Sequence, residues 1–181
     1  MNDKEIGKKE VERMELSPFL DAYKHITGKN LGFCLGSESP DFICKQVTGE
    51  KIGIELTRVM RDPRDQFWER IHFHKEEPDS YESSETIFHL IEKKEKARKE
   101  RYVNSVEDTI LVLQIMDGSL YTIAPMIEGL EEDFKGYGFM EIWLADYSGL
   151  EAYGDIELFG LYPTEIYGFH GRPCPDRKPY G

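Results

Sequence analysis

Two acidic residues stand where acids are costly. One opens the apolar segment of Ser39-Pro40-Asp41-Phe42, and the other sits in the middle of Lys51-Ile52-Gly53-Ile54-Glu55-Leu56-Thr57-Arg58. Ile52, Ile54 and Leu56 alternate and give a strand one apolar face, which leaves Glu55 on the other face between Gly53 and Thr57. Burying an ionised carboxylate without a partner costs several kcal/mol. Glu55 therefore calls for an ion pair, hydrogen bonds or a metal ion. Asp41 and Glu55 on one face of neighbouring strands can share Mg2+ or Mn2+, ions that take hard oxygen ligands and often only one or two protein carboxylates. Such an ion offsets negative charge beside it and activates a bound water.

That chemistry is helped by a cation. Lys94 shares a helical face with Ile87, Leu90 and Ile91, and a charged head on an apolar face asks for an anionic partner. Lys45 is the second candidate, on the same strand face as Asp41. Glu38 is a candidate further metal ligand, or a group that supports the ligands. Each residue also has a plainer reading. Asp41 after Pro40 suits a turn, and Glu55 suits a structural ion pair with Lys45 or Lys94. Lys94 belongs to a basic run (Lys93, Lys94, Lys96, Arg98, Lys99, Arg101) that reads as a solvated face or as a local ridge for a nucleic-acid backbone. His72 and His74 flank Phe73 in a loop-like setting, without the cysteines of a common zinc site. They read as a surface pair, and as the basis of a weaker alternative, a hydrolase unrelated to nucleic acid.

The elements that must position these groups follow from periodicity. A charged helix is expected over 4–15, then a new helix with Ser17 as N-cap and Pro18 at its first position. A short strand over 31–35 comes next. Strands over 41–47 and 51–59 are joined by Thr48-Gly49-Glu50 as an antiparallel hairpin, in a register that sets Ile43 opposite Glu55 and Asp41 opposite Thr57. A long loop over 62–84 with a helical turn around Phe67 and Trp68, a helix over 85–102 and a buried strand over 108–116 follow. A short strand over 120–123, a helix started by Pro125, a strand over 139–145 and further apolar segments over 156–161 and 166–169 complete the pattern. The order predicts one α/β domain over 1–181, with its core at about 17–145, a C-terminal extension over 150–181 and a mixed sheet flanked by helices.

This order, with Pro40-Asp41 before a hairpin and Ile-Gly-Ile-Glu-Leu-Thr on its second strand, resembles the PD-(D/E)xK nuclease superfamily over the span 17–145. The resemblance implies a restriction-endonuclease-like fold and a metal-dependent nuclease acting on DNA or RNA, with Asp41 and Glu55 as metal ligands. It also implies a lysine two residues after the Glu. That position is Thr57, which carries no charge, and Arg58 points to the opposite strand face. Lys94 from the helix, or Lys45, is then the candidate cation, since some members of the superfamily supply it from a helix. The alternative is a nuclease fold without catalysis, serving as a binding or immunity-type protein. Many relatives of this fold work as dimers, so a homodimer is a further expectation.

Composition bounds these readings. The 39% hydrophobic and 12% aromatic content is that of a globular chain. The net charge of -12 opposes broad non-specific nucleic-acid binding and fits a basic protein partner, while leaving room for a local basic groove. No apolar run approaches the roughly 20 residues that cross a bilayer, so no membrane association is expected. The charged opening, Met1 to Glu10, lacks a leader's apolar core. Three cysteines (Cys34, Cys44, Cys174) without a CxxC spacing suggest reduced thiols and a cytoplasmic setting.

Overall fold

The computed structural model describes residues 3–59, 80–101, 106–116, 120–127 and 134–170. In chain order the elements are α1 (Asp3–Thr27), β1 (Phe33–Gly36), β2 (Phe42–Lys45), β3 (Lys51–Val59), α2 (Ser80–Arg101), β4 (Thr109–Ile115), α3 (Leu120–Ile127), β5 (Glu141–Asp146), α4 (Leu150–Tyr153), β6 (Glu157–Tyr162) and β7 (Gly168–His170). A 3-10 turn at Thr164–Ile166 precedes β7. The strands form one seven-stranded mixed sheet in sequence order. The β3–β4 and β4–β5 pairs are parallel, and the pairs towards both edges are antiparallel. Parallel neighbours need a crossover, which α2 and α3 provide.

Alternation along the strands sends side chains to two cores. Phe42, Cys44, Ile52, Ile54, Leu56, Ile110, Val112 and Trp143 face α1, where Leu16, Phe19 and Tyr23 are buried. Leu111, Leu113, Ile115, Ile142 and Leu144 face the other way, against Ile87 and Ile91 of α2 and Leu120, Ile123 and Ile127 of α3. Glu55 stands in register with Leu111 and so lies on the α2 side. Among the described residues no helix is long and apolar enough to cross a membrane.

Several local expectations are corrected. α1 runs straight through Ser17 and Pro18 rather than restarting there. A proline inside a helix costs about 3 kcal/mol, but contacts on both sides hold this one. Leu16 and Phe19 are buried, and the Glu15 carbonyl accepts from the Tyr147 hydroxyl at 2.5 Å. Residues 80–84, expected in a loop, form the first turns of α2. Leu120–Ile123 is helical, and Pro125 lies inside α3 instead of starting it. Buried Leu120, Ile123, Ala124 and Ile127 follow a helical period over the whole segment, which a four-residue window misses. Cys34 and Cys44, expected as free thiols, are register partners on β1 and β2 and are joined by a disulfide. Phe67, Trp68, His72, His74 and Cys174 lie outside the described residues.

Candidate active site

The hairpin keeps the expected parity but shifts its pairing by two residues. Lys45 pairs with Lys51 and Ile43 with Gly53, so the turn spans Gln46 to Glu50 rather than three residues. The Gln46 N–H bonds the Glu50 carbonyl, the Gly49 N–H bonds the Gln46 carbonyl, and Gly49 takes φ 91°, a conformation that glycine adopts at little cost. The last ladder pair is Phe42 with Ile54. One step beyond it, Asp41 meets Glu55 instead of Thr57.

The two acids are tied reciprocally through the backbone. The Asp41 N–H donates to Glu55 Oε2 at 3.3 Å, and the Leu56 N–H donates to Asp41 Oδ2 at 2.9 Å. The Ser37 N–H bonds the Asp41 carbonyl at 2.7 Å and anchors the corner before β2. Lys94 reaches down from α2, and its Nζ donates to Glu55 Oε1 at 2.5 Å. The Glu55 side chain is 8% exposed and that of Lys94 24%, so the pair sits at the rim of the buried layer, where water and a ligand can reach the ammonium. Charge-assisted bonds of this type are about twice as strong as neutral ones. Lys94 thus pairs with Glu55 directly, while the Asp41 carboxylate is held on the next backbone N–H of β3; carboxylate oxygens of this kind are the donors that hard divalent cations take.

Gly53 sets the shape of this corner. A Cβ there would lie 2.5 Å from Pro40 Cγ and 2.9 Å from Thr109 Oγ1, so only glycine lets Pro40 pack against the strand beside Glu55.

The other candidates are not brought into this group. Lys45 is exposed at the turn end of β2, four residues from Asp41, or about 13 Å at a strand's rise. Glu38 is exposed in the connection before Pro40. Among the described residues no three of His, Cys, Asp and Glu gather as a metal-holding group. Thr57 is half-buried, and Arg58 turns to the α1 side, where it pairs with Glu15.

The basic run of α2 is partly consumed inside the chain. Glu95, which breaks that run, is 4% exposed. It binds Arg98 at 2.8 and 3.1 Å, Lys99 at 3.3 Å and the Gly138 N–H at 3.2 Å. Burial works to raise the Glu95 pKa, but the Arg98 and Gly138 hydrogen bonds and Lys99 outweigh it and hold the carboxyl below its ordinary value. Its burial was legible, since Glu95 continues the Ile87–Ile91 stripe at the next i+4 position.

A second buried acid escaped the sequence reading. Glu141 opens β5 on the α1 side and accepts from Trp143 Nε1 at 2.8 Å, the Tyr23 hydroxyl at 3.2 Å and Lys29 Nζ at 3.3 Å. Burial, with the Glu141 charge beside it, pushes the Tyr23 hydroxyl far above its usual range. All three donors are spent on this one carboxylate, as a structural polar network requires.

Compared with protein-family models, with curated proteins and with solved structures, the chain matches none.

Proposed function

We propose that this chain is a restriction-endonuclease-like nuclease that hydrolyses phosphodiester bonds with a divalent cation. The observation that carries the reading is the approach of Asp41, one residue before β2, Glu55 of β3 and Lys94 of α2 to one another. The mixed sheet with its hairpin, crossover helix and parallel strand supports the same reading. Asp41 and Glu55 would hold Mg2+ or Mn2+ through carboxylate oxygens, the hard donors these ions take. Such an ion would neutralise phosphate charge and lower the pKa of a bound water. The residues of the chain do the positioning. The Leu56 and Asp41 backbone N–H groups fix the two carboxylates. Lys94 offers N–H donors to a phosphate oxygen that enters beside Glu55 and offsets charge developing there. With Thr57 uncharged, the helix supplies the positive group.

The test is cleavage of supercoiled plasmid and of circular single-stranded DNA with magnesium, using the wild type, Glu55→Ala and Lys94→Met. Removing a group that acts on the transition state costs about 10² to 10³ in rate, so both variants should fall by that order. Equal activity in wild type and Glu55→Ala, or none in either on both substrates, removes the enzymatic reading.

A second reading is favoured by one observation: the Lys94–Glu55 pair is already satisfied within the chain. With Thr57 at the motif position and a net charge of -12, the same fold then serves as a binding or immunity-type protein for a basic partner. It predicts a flat calorimetric trace with manganese, where the nuclease predicts a signal lost in Asp41→Asn.

A further inference from the structure

The face of the hairpin that carries Glu55 continues towards the turn in two further rows. The next row pairs Gly53 with Ile43 and Ile43 with Leu35, and the one after it pairs Lys51 with Lys45. Odd-numbered residues of β2 and β3 share one face, so these rows lie on the Glu55 side of the hairpin, with Pro40 packed over Gly53 between the groove and the acids. Leu35 is 58% exposed and Val47 95%. Together with Ile43, Lys45 and Lys51 they line a groove of ≈ 580 Å³, a size that accepts a base-sized group.

Two features of this groove are costly in the chain alone. Like charges directly opposite on an antiparallel pair repel, yet Lys45 and Lys51 stand opposite one another and exposed, with no ion pair among the described residues. Exposed apolar side chains gathered in a groove mark a binding surface more often than isolated ones do. Both costs are offset by one ligand chemistry, an anionic backbone with flat apolar faces.

We propose that this face is a track for single-stranded nucleic acid, with Lys45 and Lys51 gripping its phosphates and Leu35, Ile43 and Val47 meeting its bases. The inference rests on the nuclease reading above and names the form of its substrate. The lysine pair lies about 13 Å from the acid pair, four residues at a strand's rise. That is the length of about four nucleotides of a stacked strand at 3.4 Å each. A duplex hides its base faces, whereas an unpaired strand offers them to apolar side chains. A second copy placed by a two-fold axis would set a second lysine pair against the first, whereas a phosphate backbone brings the opposite charge to the pair.

The experiment is fluorescence anisotropy of a labelled oligothymidylate of about 12 nucleotides, within the usual range of single-strand site sizes, titrated without divalent metal. Lys45→Gln/Lys51→Gln should weaken binding about tenfold or more at 50 mM salt and reduce the salt slope by about 1.4, or 0.7 for each lost phosphate contact. Leu35→Ser/Val47→Ser should weaken binding with the slope unchanged. No binding by the wild type, or an unchanged affinity and slope in the lysine variant, overturns the track. So does a duplex of the same length bound as tightly and lost in parallel. Sedimentation showing that Leu35→Ser/Val47→Ser splits a dimer without altering oligonucleotide affinity assigns the groove to a second copy. Binding is read without catalysis, so the two claims separate. A wild type that binds but does not cut keeps the track and loses the enzyme. A wild type that cuts, with the lysine variant cutting and binding equally well, keeps the enzyme and loses the track.

Discussion

Replacing Lys94 by Met removes the ammonium but keeps a stem of similar length against α2. The Glu55 carboxylate is then left 8% exposed, with the Asp41 N–H at 3.3 Å still donating to it. Breaking a fully buried ion pair by removing one partner costs about 3–5 kcal/mol. Lys94 is 24% exposed, so water can partly replace it, and the expected loss is about 2–3 kcal/mol. Glu55→Gln should cost less, about 1 kcal/mol, since the freed ammonium can turn to solvent and the amide oxygen can still accept from Asp41. The double variant leaves no uncompensated charge and should lie within about 1 kcal/mol of the wild type, which gives a coupling of at least about 2 kcal/mol. Urea unfolding reads this directly. With a slope near 2 kcal/mol/M, the Lys94→Met midpoint falls by about 1–1.5 M. A midpoint unchanged by Lys94→Met, or a coupling near zero, would show that the ammonium lies free in water and that the site has no built-in cation.

Three further outcomes follow from the same contacts. Gly53→Ala forces a methyl against Pro40 and Thr109. It should cost about 1–3 kcal/mol in urea unfolding and, by displacing the Asp41 corner, lower nuclease rate more than a distant substitution of equal stability cost. Glu95 has a folded-state pKa below its unfolded value. Its contribution is therefore complete above the ordinary carboxylate range and is lost as pH falls through that range towards the lowered value. Unfolding measured from pH 7 downwards should show a steeper acid loss in wild type than in Glu95→Gln. Tyr23→Phe removes one of three donors to the buried Glu141 and should cost about 1–2 kcal/mol, with DNA cleavage unchanged because Glu141 lies on the opposite face of the sheet from Glu55.

The sheet was legible because strand and helix periods differ. Ile52, Ile54 and Leu56 fixed which face Glu55 takes, and Ile87 and Ile91 fixed which face of α2 carries Lys94. That much was enough to expect Glu55 and Lys94 to approach one another. The hairpin register was not legible to within two residues. The turn is closed by backbone bonds from Gln46 and Gly49, and any turn of odd length preserves the same side-chain parity. The helix through Pro18 was hidden because tertiary contacts of Leu16, Phe19 and Glu15 override a strong local stop signal. Glu141 was hidden for a different reason. Its donors come from α1, the connection after it and its own strand, brought together only by the fold. The Cys34–Cys44 link depends likewise on the β1–β2 register rather than on any spacing.

The central claim is that Asp41 and Glu55 hold a divalent cation between them. Manganese titration followed by electron paramagnetic resonance, which separates free from bound ion, tests it most directly. The account predicts one saturable site in the wild type that disappears in both Asp41→Asn and Glu55→Gln and persists in Glu38→Gln. A wild type that leaves all the manganese free, or binding that survives in the Asp41 and Glu55 variants, would contradict it.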